Sequence, residues 1–234
     1  MDASSLDGEN SGSEWISVSD LMAALMIVFL FIAIVYIRPL ANERQKVREI
    51  AVAWQASETA IHDALVAEFE ADLERWDATI EASTLMLRFR SPEILFESGK
   101  GSLKPRFERI LDDFFPRYVA ILEPYSEDIE EIRIEGHTSS DWGRLDERTA
   151  YFRNMELSQR RTRSVLEYVL RSGAFQTEPE WLVPRLTANG LSSSRILTDA
   201  AGNELGDDSR RVDFRIRTRT RTEIRRILET VHEY

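Results

Sequence analysis

One apolar segment constrains this chain more than any other feature. The 22 residues from Ile16 to Ile37 contain a single charged side chain, that of Asp20. A helix rises about 1.5 Å per residue, so a segment of this length crosses a hydrocarbon core of about 30 Å. The residues before it are acidic and no small-residue cleavage site follows it, which argues against a secretory signal. The sequence therefore predicts a transmembrane helix over residues 15 to 37.

The rest of the chain has the composition of an acidic, soluble protein. The mean hydropathy is −0.33 and the net charge is −11, which predicts a single-pass anchored protein rather than a polytopic one. The negative charge argues against nucleic acid as a partner, and the basic stretch near the C-terminus is interpreted as a solvated or sheet-edge feature. Without cysteine, disulfides and thiolate chemistry are excluded and the compartment is left open.

Hydrophobic periodicity divides the remainder into a tail, a linker and a domain. Residues 1 to 14 are small and polar and predict a flexible cytoplasmic tail. Residues 38 to 83 carry apolar side chains at steps of three and four, which predicts an amphipathic helical linker. Its apolar stripe either packs on the chain's own folded domain, the favoured reading, or forms a coiled-coil-like contact between two copies.

Residues 84 to 234 alternate between strand and helix patterns. The strand patterns cover 84 to 90, 130 to 136, 184 to 190 and 210 to 219, and the helix patterns cover 103 to 122 and 154 to 173. This alternation predicts one α/β (α+β) sandwich, with helices packed on a mixed sheet.

Asp20 is the residue with the clearest chemical implication. An ionised carboxylate costs about 2.5–3.5 kcal/mol at the centre of a membrane helix, so its presence requires a partner, a proton or a water-filled path. In one reading Asp20 lies shallow at the interface or caps the helix beside Ser17 and Ser19. In the other it binds and releases a proton, because desolvation favours the neutral form of a carboxylic acid.

Two separate stretches carry resemblances to known families. "SDLMAALMIVFLFIAIVYIRP" resembles the single transmembrane helix of MotB-type stator subunits, in which an Asp at the position of Asp20 is the ion-binding carboxylate. "IEGHTSSDWG", "NMELSQRRTRSVLEYVL" and "SRRVDFRI" resemble the OmpA-like peptidoglycan-binding domain, and "FESGKGSLKP" resembles the segment that opens its first helix. The resemblance implies an OmpA/MotB-like fold for the C-terminal domain.

The OmpA-like resemblance also implies a binding site. Asn154, Leu157 and Arg161 match the family motif and are spaced to share one helix face, and the pattern predicts that they stand at the start of a helix. A helix N-terminus beside an arginine favours anions, and the family holds the carboxylates of the peptidoglycan stem here, so Arg161 is the expected ligand arginine. Thr138 and Asp141 complete the expected peptidoglycan-binding set.

Some positions depart from the family pattern. Ser139 stands where the family has an Asp that meets the amine of the stem, and Asp141 is its candidate replacement. His137 is interpreted as a structural hydrogen bonder, and Arg210 and Arg211 are interpreted as strand-edge residues rather than ligand contacts. No nucleophile beside a base, phosphate loop, acid pair or metal spacing is found, so the sequence predicts no cofactor and no enzyme activity.

The order of the two resemblances implies a stator-type subunit. In the family, two such chains, a homodimer, sit inside a ring of a multi-span membrane partner, and ion flow drives rotation. The acidic tail and the insertion after His137 favour the subunits of Zorya anti-phage defence over flagellar MotB. Two alternatives remain: a flagellar MotB-type stator, and a passive cell-wall tether without ion flow. The family places the N-terminus in the cytoplasm and the domain in the periplasm, although Arg38, Arg44, Lys46 and Arg48 follow the segment, against the positive-inside rule.

Overall fold

A long helix, α1, opens the fold and spans Asp7–Trp76. The computed structural model describes residues 7–90, 95–97, 99–171 and 179–219, without the side chains of residues 7–19, 36–51 and 53–54. The chain divides into two units, Met1–Val52 and Ala53–Tyr234, which are described separately.

The first unit contains the predicted membrane segment. Side chains from Asp20 to Val35 are all exposed, and most of them are large and apolar. Over the residues described, no helix is both long enough and apolar enough to cross a membrane. The span predicted over residues 15 to 37 extends beyond the described side chains and stays a prediction. Helix α1 includes residues 7 to 14 of the predicted tail, and residues 1 to 6 lie outside the described part.

In the second unit, the last turns of α1 belong to the folded domain. Ile61, Leu65, Phe69 and Trp76 are at most 4% exposed and join the main core. For these turns, the apolar stripe of the predicted linker packs on the chain's own domain, in agreement with the first of the two interpretations.

Ion pairs fasten the same turns to the domain. Arg117 donates to Glu68 at 2.6 Å and to Asp72 at 2.9 Å, both on α1. Its guanidinium also lies 4.9 Å from the ring centre of Phe69, within cation–π range. These contacts join α1 to the helix that carries Arg117.

The linker helix ends earlier than the sequence predicts. Asp77 has a φ of 50°, the left-handed conformation in which Asp is tolerated and in which helices commonly stop. Strand β1 (Ala78–Glu81) follows and pairs antiparallel with β2 (Met86–Phe89). The prediction of helix to residue 83 was wrong because Trp76 and Ile80, four residues apart, also fit a helical stripe.

A mixed sheet of five strands forms the centre of the domain, in the order β1-β2-β5-β3-β4. The remaining strands are β3 (Ile129–His137), β4 (Leu186–Gly190) and β5 (Arg211–Thr218). β3 and β4 are parallel, whereas β5 runs antiparallel to both β2 and β3. The predicted α/β sandwich with a mixed sheet is confirmed.

Three further α-helices lie in the described part: α2 (Pro105–Leu122), α3 (Glu147–Arg171) and the short α4 (Gly206–Ser209). Proline at the first turn of α2 fits its fixed φ, and one face of α2 is buried. An aromatic cluster lies between α1, α2 and the sheet, with Phe114 within 5.3 Å of Phe69, Phe89 and Phe214, measured between ring centres. The core therefore occupies one face of the sheet.

Two glycines bring α3 into direct contact with the sheet. Gly136 and Gly190 are register partners on β3 and β4. A Cβ at Gly190 would lie 2.3 Å from the backbone nitrogen of Gln159, and a Cβ at Gly136 would lie 2.6 Å from Thr162 Cγ2. Glycine is required at both places because α3 approaches closer than any side chain permits.

We expect Gly190→Ala to lower the free energy of unfolding by at least about 1–3 kcal/mol, since the new methyl group overlaps backbone. Gly206→Ala is the matched control, because a Cβ there meets its nearest atoms at ordinary contact distances of 3.8 and 3.9 Å. Urea unfolding of the detergent-solubilised chain, followed by tryptophan fluorescence, measures both. Equal stabilities for the two variants would contradict the close approach.

Candidate functional site

Helix α3 carries the predicted ligand residues, but not at its start. It begins at Glu147, so Asn154 lies about two turns inside. The Asp146 carboxylate accepts a hydrogen bond from the Thr149 backbone N–H at 3.0 Å and caps the helix. The prediction that Asn154 begins the helix was wrong, and the helix N-terminus is therefore not the anion-binding device. The sequence "LDERT" (145–149) contains the residue that predicts this helix start, because Asp is a preferred N-cap residue.

An open cleft of about 520 Å³ lies beside α3 and contains every residue of the predicted binding set. That set is Thr138, Asp141, Asn154, Leu157 and Arg161. The other lining residues are Phe96, Gly99, Ser139, Trp142 and Arg210. The volume falls in the range of small-ligand sites, about 300–1,000 Å³. Residues from four separate parts of the chain thus meet in one concave surface.

Arg161 is held in place at the edge of the cleft. It is 7% exposed, and its Nε donates to the Lys100 carbonyl oxygen at 3.2 Å. The guanidinium carbon lies 4.9 Å from the ring centre of Phe96, where a cation–π interaction is favourable. A planar guanidinium held in this way presents its N–H fork in a fixed direction, the arrangement that suits a carboxylate.

Asn154 positions the loop that follows β3. Its Nδ2 donates to the Ser139 carbonyl oxygen at 2.9 Å, and both residues are buried. The Ser192 carbonyl oxygen accepts from the Thr138 N–H at 3.0 Å, and the Ser192 N–H donates to Ser158 Oγ at 3.0 Å. These bonds fix the loop against α3.

Thr138 lines this cleft, and its hydroxyl is buried. Thr138 is 3% exposed, and its Oγ1 has no hydrogen-bond partner among the described residues. A buried hydroxyl that lacks a partner costs about 1–3 kcal/mol.

Two residues bear on the carboxylate that the family has and this chain lacks: Ser139, which stands at its position, and Asp141, its candidate replacement. Ser139 is buried, whereas Asp141 is exposed and lines the cleft. Asp141 accepts from the Gly143 N–H at 2.9 Å, which orients its carboxylate. That Asp141 replaces the missing Asp stays a prediction.

Arg210 and Arg211 have different environments. Arg211 is buried, donates to the Ser209 and Arg195 carbonyl oxygens, and is part of the sheet structure. Arg210 lines the cleft and pairs with Asp207. The strand-edge interpretation was wrong for both residues, because Arg211 is buried on β5, an inner strand of the sheet, and Arg210 lines the cleft. The sequence also missed Phe96 and Trp142, both aromatic residues within quoted motifs.

His137 lies on the opposite face of the sheet from α3, within a buried group of charges. Its Nε2 is 3.7 Å from Glu135 and 3.4 Å from Asp213, but neither ring nitrogen makes a hydrogen bond within the described chain. His137 is thus buried at a structural position between two carboxylates, and its role as a hydrogen bonder stays a prediction. His137, Glu135 and Asp213 have the spacing of a metal site, yet arginines pair with both carboxylates. Those arginines are Arg88, Arg133, Arg195, Arg211 and Arg215.

The titration of this group follows from its burial. Burial lowers the pKa of His137 below its ordinary value of 6.5, and the nearby carboxylates offset this only in part. Burial opposes ionisation of Glu135, but His137 and the arginines outweigh it, so the pKa of Glu135 falls below 4.5. His137 is therefore neutral in the folded chain near pH 7.

Comparison with known proteins shows the family of this chain. The OmpA family matches residues 95–219, more than half of the chain. Zorya protein ZorB of Escherichia coli is 46% identical over 222 residues, covering 94% of this chain and 94% of that protein. The chain belongs to the OmpA family and to the ZorB proteins. This membership confirms the Zorya-type interpretation of the sequence and places the chain among structural, non-enzymatic proteins.

Two solved structures resemble the chain at lower sequence identity. A MotB-like protein from Desulfovibrio vulgaris is 23% identical, with a TM-score of 0.49. The match covers 73% of this chain and 94% of the MotB-like chain. The periplasmic domain of Helicobacter pylori MotB is 15% identical, with a TM-score of 0.41. The match covers 65% of this chain and 96% of the MotB domain.

We expect stability to fall as the pH drops from about 7 to about 5. A lowered folded-state pKa means that the unfolded chain binds a proton that the folded chain excludes, so up to about 1.4 kcal/mol is lost per pH unit. Urea unfolding at several pH values measures this slope. His137→Gln should remove most of it, and the control His62→Gln, on half-buried α1 surface, should not. An unchanged slope in His137→Gln would contradict a neutral buried imidazole.

Proposed function

We propose that this chain is the membrane-anchored stator subunit of an ion-driven motor in anti-phage defence. The single observation that carries the proposal is the cleft in which all five expected peptidoglycan-binding residues meet. Membership of the OmpA family and close similarity to Zorya protein ZorB support it. The domain would anchor the complex to peptidoglycan while the N-terminal segment takes part in ion flow.

The chemistry of the cleft suits a peptide stem that carries both carboxylates and an amine. Arg161 offers a fixed cation for a carboxylate, and Asp141 offers an oriented anion for an ammonium group. Leu157, which lines the cleft, adds an apolar surface. Opposite charges at separate points of one cleft select a zwitterionic ligand over a simple anion.

We expect Arg161→Ala to weaken binding of the chain to purified peptidoglycan about 10- to 150-fold, the equivalent of one charge-assisted contact. Arg163→Ala is the matched control: it removes the same residue type from the same helix, where its side chain is 77% exposed and pairs with Glu167. A co-sedimentation assay measures both variants, with thermal unfolding as the check on folding. Full retention of binding by a folded Arg161→Ala variant would contradict the site.

The ion-carrying role is assigned to Asp20. It is the only charged residue between Ile16 and Ile37, and the described side chains from Leu21 to Val35 present large apolar groups outward. This segment has no second charged group, so the remaining ion path must come from a partner. That partner would be a multi-span membrane protein, forming a ring around two copies of this chain.

The proposed location is the inner membrane, with the N-terminus in the cytoplasm and the OmpA-family domain in the periplasm. Peptidoglycan lies outside the inner membrane, so a wall-binding domain has its ligand on that side only. The basic residues after the segment oppose this orientation under the positive-inside rule. Insertion together with a partner outweighs that bias in the proposal.

We expect Asp20→Asn to abolish anti-phage protection while membrane insertion and partner association survive. The amide has the size of the carboxylic acid but cannot release a proton, whereas Asp20→Glu keeps a titrating group and should retain part of the protection. Phage plating efficiency measures the result, with membrane fractionation and co-purification as controls. Persistent protection in Asp20→Asn would support the passive tether instead.

A further inference from the structure

One wall of the cleft is not explained by the motif that binds the peptide stem. Trp142 lines the cleft together with Asp141 and Arg161, although it belongs to the insertion that follows the family motif. It is half-buried, so part of the indole remains accessible. We infer that Trp142 binds an amino-sugar ring of peptidoglycan beside the stem site. The inference rests on the proposed function and extends it to a second part of the same ligand.

The loop around Trp142 is fixed on both sides. Ser140 is bonded to Glu204 through its N–H at 2.8 Å and also through its hydroxyl. On the other side, Asp146 caps α3 and Gly143 bonds to the Asp141 carboxylate. An aromatic ring held between anchored points loses little conformational freedom on binding, which favours affinity.

The chemistry of an indole fits a sugar better than it fits the polar stem. The face of an aromatic ring carries a negative quadrupole, and the C–H groups on one face of a pyranose ring are weakly positive. The stem is joined covalently to an amino sugar, so a ligand whose stem is held at Arg161 brings a sugar ring close to the cleft. The neighbouring Asp141 carboxylate can accept hydrogen bonds from sugar hydroxyl or amide groups.

The test compares two ligands with the full chain in detergent. One is the free stem tetrapeptide, and the other is the disaccharide that carries the same tetrapeptide. Isothermal titration calorimetry gives both affinities for the unaltered chain, Trp142→Ala and Trp142→Phe. We expect the unaltered chain to bind the disaccharide-peptide about three- to tenfold more tightly than the free peptide.

The variants separate the inference from the proposed function. Trp142→Ala should lose the preference for the sugar-bearing ligand and keep its affinity for the free peptide, while Trp142→Phe should keep part of the preference. Equal affinities of the unaltered chain for both ligands would overturn the sugar assignment alone. The same would follow if Trp142→Ala weakened both ligands equally, because Trp142 would then contact the stem. Failure of the unaltered chain to bind either ligand would overturn the proposed function and the inference together.

Discussion

The close approach of α3 to the sheet at Gly136 and Gly190 determines where the cleft lies. A Cβ at either position would overlap atoms of α3, so only glycine lets the helix settle on the ends of β3 and β4. In this position Asn154 bonds to the loop after β3, and Arg161 reaches the Lys100 carbonyl oxygen. The position of the cleft therefore depends on glycine, which has no side chain, at positions 136 and 190.

The opposite face of the sheet is built on a different principle. Core residues such as Ile134 and Phe214 point to the helices, whereas Glu135 and Asp213 point away and are completely buried among arginines. An ion pair of this kind is costly to desolvate, so it contributes geometric specificity more than net stability. It fixes the register of β3 against β5, and Gly136 and Arg211 lie on these two strands.

Much of this arrangement could be predicted from the sequence, because hydrophobic periodicity and short motifs indicate it locally. The alternation of strand and helix patterns predicted the α/β class, and the stretches that resemble the OmpA-like domain contain all five residues of the predicted binding set. The start of α3 was missed because the family motif begins at Asn154, although Asp146 is a capping residue. Strand β1 was missed because Trp76 and Ile80 fit a helical stripe. The roles of Phe96, Trp142 and Arg210 depend on contacts between distant parts of the chain, which no local pattern reveals.

In the proposed function, the cleft beside α3 holds the peptide stem of peptidoglycan. The most direct measurement is a crystal structure of the chain with the stem tetrapeptide bound. We expect a stem carboxylate within hydrogen-bonding distance of the Arg161 guanidinium and the stem ammonium group near the Asp141 carboxylate. A tetrapeptide bound elsewhere on the domain, with the cleft empty, would contradict it.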